Sequence, residues 1–186
     1  MRPATSVSGP PFDLGGGALL RRYRMEDLDG LWSAVEEERD RIGPWMPWVE
    51  HTVSKDDERP WLERVTSDRD STGGLSIWVE GEFAGGTGLI ADEFGISAEI
   101  GYWIRSRFEG RGLVTRACEA LITYGFEGLG VHRVVIRAGT ENARSRAIPE
   151  RLGFTFEGVA REEGRGTGGF YDLAVYSILD REWRAR

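Results

Sequence analysis

The stretch "RSRFEGRGLVTRAC" (Arg105–Cys118) is the most informative part of the chain. It places four arginines and two glycines in a protein whose formal net charge is −7. The first backbone N–H groups of a helix have no partner within the helix, and the helix dipole adds positive partial charge beside them. Glycine lets an anion approach the backbone without a Cβ in the way. The stretch therefore predicts a phosphate-binding loop that opens a helix.

The segments on either side of this loop predict a βαβ unit. Before it, "ISAEIGYWI" alternates apolar and other residues, as a half-buried strand does. After it, "LVTRACEALITYGFEGLG" has helical periodicity and ends in glycines. A further strand, "HRVVIRAG", then leads to a short helix in "ENARSRAIPERLGF".

The rest of the chain supplies more strands and helices. A strand over Ala18–Tyr23 precedes a helix that follows Glu26, and a second helix begins near Asp56 after a tryptophan-rich loop. Two strands joined by a tight turn, and a final pair around a glycine turn, complete the pattern. We therefore predict an α/β (α+β) domain over residues 18–186, preceded by a flexible polar tail over residues 1–17.

Composition limits the class of protein. A chain of 186 residues, 40% of them apolar, can bury one core. The single cysteine, Cys118, excludes an internal disulfide and a cysteine zinc cluster, and two histidines argue against a metal site. No apolar run approaches the roughly 20 residues of a membrane span, and the start lacks the apolar segment of a signal peptide. We expect a soluble cytoplasmic protein without a metal.

The charges are unevenly distributed. Residues 26–58 hold eleven acids and three bases, whereas residues 95–151 hold nine arginines and six acids. Solvated helix faces account for most such asymmetry, and the negative net charge argues against nucleic-acid binding. The alternative is one half that attracts an anion and another, around Glu36–Asp40, that draws in a cationic amine.

Spacing alone does not identify the phosphate. The loop lacks the Gly-Lys-Ser/Thr of a Walker A motif, and Thr115 stands where a dinucleotide motif requires glycine or alanine. A tight turn before a helix, with no ligand, is an equally good explanation of Gly-x-Gly alone.

Several motifs together resemble one family. "RFEGRG" has the form Arg-x-x-Gly-x-Gly and resembles the acetyl-coenzyme A pyrophosphate loop of the GNAT superfamily of acetyltransferases. "AEIGYWI" and "GLGVHRVVIRAGTENARSRAIPERLGF" resemble the strand before that loop and the strand and helix after it. "PWMPW" and "YDLAVYSILDREW" resemble the branch of ribosomal-protein N-terminal (alanine/serine) acetyltransferases. The likeness covers about residues 19–183.

The resemblance implies a GNAT fold, in which a mixed, mostly antiparallel sheet is flanked by helices. It implies that coenzyme A enters a V-shaped splay between two parallel strands, here Ser97–Ile104 and Arg133–Ala138. The cofactor-binding residues that it implies are Ile104, Arg107, Gly110, Arg111, Gly112, Leu113, Val114 and Asn142. Among the loop arginines we expect Arg107 and Arg111 to contact phosphate more than Arg105 and Arg116.

Amide formation from a thioester needs a neutral amine and a hydrogen bond or proton for the departing thiolate. We predict Glu99 as the base, acting directly or through water, and Ser145 as the thiolate contact. The alternatives are a solvated or ion-paired Glu99, with Asn142 capping the short helix and Ser145 lying in its first turn. Cys118 lies on or near the apolar helix face, so we expect a buried side chain and direct transfer.

Trp45 and Trp48, with Trp61, are predicted to line an acceptor pocket, although tryptophans that close a core would show the same pattern. We predict an N-acetyltransferase that uses acetyl-CoA and a primary amine, most similar to those acting on protein N-termini. Small-amine acetylation is the alternative, and a non-catalytic acyl-CoA-binding module is the rival of another class. Neither nucleic acid nor membrane is an expected partner, and a homodimer is left open.

Overall fold

The computed structural model describes residues 9–67 and 73–186. Its strands are β1 (Phe12–Gly15), β2 (Ala18–Arg22), β3 (Leu75–Val79), β4 (Glu82–Ala91), β5 (Ser97–Ile104), β6 (Arg133–Gly139), β7 (Thr155–Gly166) and β8 (Gly169–Leu179). Its α-helices are α1 (Leu28–Ile42), α2 (Trp48–His51), α3 (Lys55–Ser67), α4 (Leu113–Tyr124), α5 (Ala143–Arg151) and α6 (Asp180–Arg184). The elements predicted around the glycine loop are confirmed.

All eight strands form one sheet, in the order β1-β2-β3-β4-β5-β6-β8-β7. Every neighbouring pair is antiparallel except β5 and β6. The parallel pair is registered only from Ser97 to Glu99, opposite Arg133 to Val135. Beyond those residues the two strands no longer pair, although β5 continues to Ile104 and β6 to Gly139. This confirms the predicted mixed sheet and its splay.

The sheet has helices on both faces, because the alternating side chains of β5 supply two apolar surfaces. Ala98 and Ile100 are buried in the same core as Leu121 of α4. On the other face Trp103 packs against a second core that contains Leu31 of α1 and Leu62 of α3. Burying a leucine or isoleucine contributes roughly 1.5–3 kcal/mol, so both helical layers are firmly attached to the sheet.

The predicted tail of residues 1–17 is wrong for the segment Phe12–Gly15. These residues form β1 and pair with β2, with Phe12 opposite Leu20. Gly15 ends β1 opposite Ala18, Gly16 and Gly17 form the turn, and all three glycines have positive φ angles. The glycine cluster that suggested a loose segment is therefore the tight turn of a hairpin. Residues 1–8 lie outside the described part of the chain.

Cys118 is a free, fully buried thiol in α4, as expected from its place on the apolar face. The helix leads into one wider turn over Gly125–Leu129, and the chain then turns away at Gly130 with φ 72°. Glycine at the predicted helix end is thus confirmed. Among the residues that the structure describes, no helix is long and apolar enough to cross a membrane.

Candidate active site

A cavity of about 950 Å³ opens where β5 and β6 separate. The carboxyl end of β5, the start of α4, the start of α5 and the loop after α1 form its walls. The parallel strands expose their unpaired ends here because their hydrogen bonding stops at Glu99 and Val135. In sheets with a parallel crossover, this is the position at which ligands bind.

The glycine loop forms one end of this cavity. Gly110 and Gly112 have φ angles of 73° and 70°, which a residue with a Cβ adopts only with strain. Gly112 immediately precedes α4, so the unpaired N–H groups of the first helical turn lie at the cavity wall. Leu113 and Val114 line the same wall. The predicted residues Gly110, Gly112, Leu113 and Val114 are therefore brought together.

A buried network fixes the loop to α1. Glu38 accepts hydrogen bonds from the backbone N of Ser106 at 2.6 Å and from its hydroxyl at 2.7 Å. Arg41 donates to Glu38 and, at 2.7 Å, to Glu109 of the loop. Burial opposes ionisation of Glu38, but the hydrogen bonds from Ser106 and Arg41 outweigh it and lower the pKa of Glu38. The carboxylate is therefore a permanent anchor for the loop.

Three of the four acids in segment Glu36–Asp40 of α1 are paired with arginines, which weakens the attraction that we expected it to exert on an amine. Glu36 accepts from Arg39, Glu37 pairs with the buried Arg105, and Glu38 pairs with Arg41. These three charges are balanced by arginines of the same chain, whereas Asp40 is exposed. The role of the segment in the structure is to hold the loop and the end of β5 in place.

The four loop arginines lie in different surroundings. Arg107 pairs with Glu82, and both Arg107 and Arg111 lie over the ring of Phe108, so neither lines the cavity. Arg116 does line it, and its buried Nε has no hydrogen-bond partner among the described residues. An unpartnered buried donor is costly unless a ligand satisfies it. Arg116 thus fits a phosphate better than the arginines that the sequence favoured.

Two hydroxyl groups meet at the middle of the cavity. Ser145 donates to the hydroxyl of Tyr102 at 3.2 Å, and Tyr102 donates to the backbone carbonyl of Ser145 at 2.8 Å. Burial raises the pKa of Tyr102, so its hydroxyl stays protonated. Asn142 caps α5 by accepting from the Ser145 N–H at 3.1 Å, and Asn142 and Ser145 both line the cavity. The cap therefore positions the residues predicted to contact the cofactor arm.

Two other predicted residues contribute less directly. Ile104 lines the cavity, and its carbonyl accepts from Arg41. Glu99 lies outside the lining and pairs with Arg137 at 3.1 Å, with 44% of its side chain exposed. Burial, opposed by Arg137 and assisted by Glu163, raises the pKa of Glu99. Glu99 reaches the site through Arg137, which does line the cavity.

The predicted acceptor tryptophans lie in two cavities. Trp45 lines the first, and its carbonyl accepts from the Tyr171 hydroxyl at 2.8 Å. Trp48 lines a second cavity of about 470 Å³, together with Trp61 and Trp103. The two cavities share Met46 and the segment 101–103 of β5. The sheet strand that carries Tyr102 is therefore their common wall.

Sequence reasoning missed two residues of these cavities, Glu58 and Tyr102, and ranked Arg116 below Arg107 and Arg111. Glu58 lies in the acidic start of α3 and resembles a solvated residue, yet it is 5% exposed and lines the second cavity. Its spacing of four residues before the buried Leu62 places it on the apolar stripe, and this periodicity could have identified it. Among the described residues, no cluster of three or more His, Cys, Asp or Glu could hold a metal ion.

Comparison with known proteins identifies the family. A family model described as "Acetyltransferase (GNAT) domain" matches residues 18–155, which contain the loop, the splayed strands and both hydroxyls. The chain belongs to the GNAT acetyltransferases. It is 38% identical over 170 residues to a Bacillus subtilis (strain 168) protein named "Putative ribosomal N-acetyltransferase YdaF", covering 88% of this chain and 92% of that protein.

Solved GNAT structures share the whole architecture. One, described as "Probable acetyltransferase", has a TM-score of 0.84 at 36% identity and covers 93% of this chain and 98% of its own. Another is the microcin C7 self immunity acetyltransferase MccE in complex with acetyl-CoA and AMP, with a TM-score of 0.84 at 27% identity, covering 94% of this chain and 98% of its own. The GNAT enzyme described here is thus an N-acetyltransferase that uses acetyl-CoA.

Proposed function

We propose that the enzyme acetylates the N-terminal α-amine of a protein. The observation that carries the proposal is the meeting of two cavities at segment 101–103 of β5, next to Ser145. One cavity has the glycine loop and helix N-terminus suited to a pyrophosphate, and the other is a separate space for an acceptor. The name of the Bacillus subtilis relative, a ribosomal N-acetyltransferase, supports a protein acceptor.

The residues of this chain account for the chemical needs of the reaction. The N–H groups after Gly112 and the free Nε of Arg116 bind the pyrophosphate, which positions the thioester that acetyl-CoA supplies. The Ser145 hydroxyl turns its one proton from the Tyr102 oxygen to the departing sulfur, while the hydrogen bond from Tyr102 to the Ser145 carbonyl holds the residue in position. An α-amine has a pKa near 7.7–8.0, so a weak base is enough to make it neutral.

Of the two residues predicted to act in catalysis, Ser145 lines the cavity and Glu99 does not. A base role for Glu99 requires water to carry the proton past the Arg137 pair. Replacing Glu99 by Gln should then lower kcat and shift the pH–rate profile. An unchanged profile would leave Glu99 as the partner of Arg137 alone.

The test is a thiol-release screen with acetyl-CoA against peptides with free N-terminal alanine or serine and against small amines. Turnover of a peptide, with the acetyl group located on its α-amine by mass spectrometry, is the expected result. Turnover of small amines alone would overturn the protein acceptor. Tight binding of coenzyme A without thiol release for any amine would indicate a non-catalytic module.

One observation favours a small amine as the second candidate. Trp48, Trp61 and Trp103 form walls of the second cavity. The faces of tryptophan rings attract cations, so these walls would hold a compact ammonium group well. A polyamine, an amino acid or an amine-bearing antibiotic would suit such walls. The same screen separates this candidate from a peptide.

A further inference from the structure

The second cavity contains charged groups that have no role in the chemistry proposed above. It lies between α3 and the β4–β5 part of the sheet, with Tyr23, Trp48, Trp61 and Trp103 as its aromatic walls. Tyr23 and Trp61 meet edge to face with ring centres 5.1 Å apart. Its lining also includes two carboxylates and one guanidinium, those of Asp57, Glu58 and Arg64.

Glu58 is the unusual member of this set. The residue is 5% exposed, and its Oε1 has no hydrogen-bond partner among the residues that the structure describes. Burying a carboxylate without a partner is expensive, and such groups are generally paired. A cation that enters the cavity would supply the missing partner.

The charged groups around Glu58 do not replace that cation. The charge of Arg39 in α1 lowers the pKa of Glu58. However, Arg39 donates its hydrogen bonds to the carbonyls of Val49 and Thr52 and to Glu36. Asp57 repels the charge of Glu58, and the buried Tyr23 phenol lies close enough to be influenced by it. Burial, partly offset by Arg39, raises the pKa of Glu58 to about 7. The carboxylate therefore exchanges a proton near neutral pH.

We propose that the second cavity is the acceptor-amine subsite, and that Glu58 binds the ammonium group of the acceptor and accepts its proton. This inference rests on the proposed function, because it assigns the part of that site that selects the acceptor. The aromatic walls favour the same cation through their ring faces. The second cavity also reaches segment 101–103, the wall that it shares with the first cavity.

The proton balance follows from the groups present. An N–H bond of the ammonium breaks and an O–H bond forms on Glu58, which frees the nitrogen lone pair to attack the thioester carbonyl. As the C–S bond breaks, the nitrogen loses a second proton, which ends on the departing sulfur. Glu58 then returns its proton to solvent. The net products are the amide, the thiol and one released proton, with no oxidant or metal required.

The experiment compares wild type with Glu58→Gln, and with Glu63→Gln as a matched control on the exposed face of the same helix. Binding to the protein loaded with coenzyme A is measured by titration calorimetry. The probes are a peptide with a free N-terminal alanine, the same peptide N-acetylated, and spermidine. Turnover of the peptide and of spermidine is measured by thiol release across pH 5.5–9.

We expect the free peptide to bind wild type and the control equally, and the acetylated peptide not to bind. Glu58→Gln should weaken binding of the free peptide about 10- to 100-fold, as is usual for loss of a charged hydrogen bond, and should remove the fall in kcat/KM below about pH 7. Binding of coenzyme A itself should not change. A correctly folded Glu58→Gln protein that binds and acetylates like wild type would overturn the proposal.

The outcomes separate this proposal from the proposed function. If only spermidine binds and is acetylated, the protein acceptor is wrong, and the effect of Glu58→Gln on spermidine still tests the subsite. If none of the amines binds wild type, both proposals fail. If the acetylated peptide binds as well as the free one, the cavity does not select an ammonium group, and the Glu58 proposal fails alone.

Discussion

The two cavities that meet at β5 are built in different ways. The cofactor cavity depends on backbone groups within one short stretch, Gly110–Val114, where two glycines with positive φ expose the start of α4. The second cavity depends on side chains from segments far apart in sequence, among them Tyr23, Glu58 and Trp103. The first can be recognised from local spacing, and the second exists only when the chain is folded. Each should therefore respond to a different kind of mutation.

The largest effect should come from replacing Gly112 by valine. The new Cβ would sit at a φ of 70° and 3.0 Å from Nη1 of Arg116, so the loop must change conformation. We expect acetyl-CoA affinity to fall about 100-fold, which is roughly 2.7 kcal/mol. Calorimetric titration with acetyl-CoA measures this loss of affinity. Gly168→Ala is the control, because a Cβ there meets no atom within 4 Å, and equal losses in both variants would refute a specific loop effect.

A smaller effect is expected from removing the hydroxyl of Ser145. Ser145→Ala should lower kcat about 10- to 50-fold and leave acetyl-CoA binding nearly unchanged, because the hydroxyl acts on charge that develops during the reaction. Tyr102→Phe should give part of the same loss, since it orients Ser145. In a double-mutant cycle the two losses should not add. Fully additive losses would show that the hydroxyls act independently.

Glu58 in the second cavity should also affect the stability of the protein. Because burial raises the pKa of Glu58 from 4.5 to about 7, the native state favours the protonated form. The contribution of this group to stability is complete below about pH 4.5 and is lost as the pH rises through about 7. Glu58→Gln should therefore be about 1–2 kcal/mol more stable than wild type at pH 8, with the difference vanishing below about pH 4.5. Thermal unfolding at several pH values, with Glu63→Gln as control, measures this, and a difference that grows towards acid pH would contradict it.

The smallest effect concerns the loop arginines. Arg107 pairs with Glu82 away from the cavity, so Arg107→Gln should change acetyl-CoA affinity no more than about twofold. Arg116→Gln should weaken it about 5- to 20-fold, because Arg116 lines the cavity and its buried Nε has no partner among the described residues. Measuring the acetyl-CoA affinity of both variants at increasing salt concentration gives a second check. A larger loss for Arg107 than for Arg116 would reverse this assignment.

The residues around the glycine loop were largely predictable, because the strand, loop and helix that form this site follow one another in the sequence. The alternation of β5, the glycines and the periodicity of α4 predicted the strand, loop and helix, and the structure confirms all three. The same local reasoning misjudged Phe12–Gly15, because three glycines in a hairpin turn resemble a flexible tail. It also favoured Arg107 over Arg116, since sequence spacing does not reveal that Glu82 lies beside Arg107.

The residues of the second cavity could be predicted only in part. The tryptophans indicated an aromatic pocket, but not that Trp45 and Trp48 would line different cavities. The acidic charges of α1 and α3 looked alike in sequence. In the structure Glu36, Glu37 and Glu38 of α1 are balanced by Arg39, Arg105 and Arg41, whereas Oε1 of Glu58 in α3 is left without a partner among the described residues. Long-range pairing of this kind depends on tertiary structure and leaves little local signal.

The most direct test of the two-cavity account is a two-substrate kinetic matrix, in which acetyl-CoA and an N-terminal alanine peptide are varied together. We expect Gly112→Val to raise the KM for acetyl-CoA with little change in the KM for the peptide. We expect Glu58→Gln to lower kcat/KM for the peptide while the KM for acetyl-CoA stays at the wild-type value. If Glu58→Gln instead acted on acetyl-CoA and spared the peptide, the assignment of the second cavity to the acceptor would be wrong.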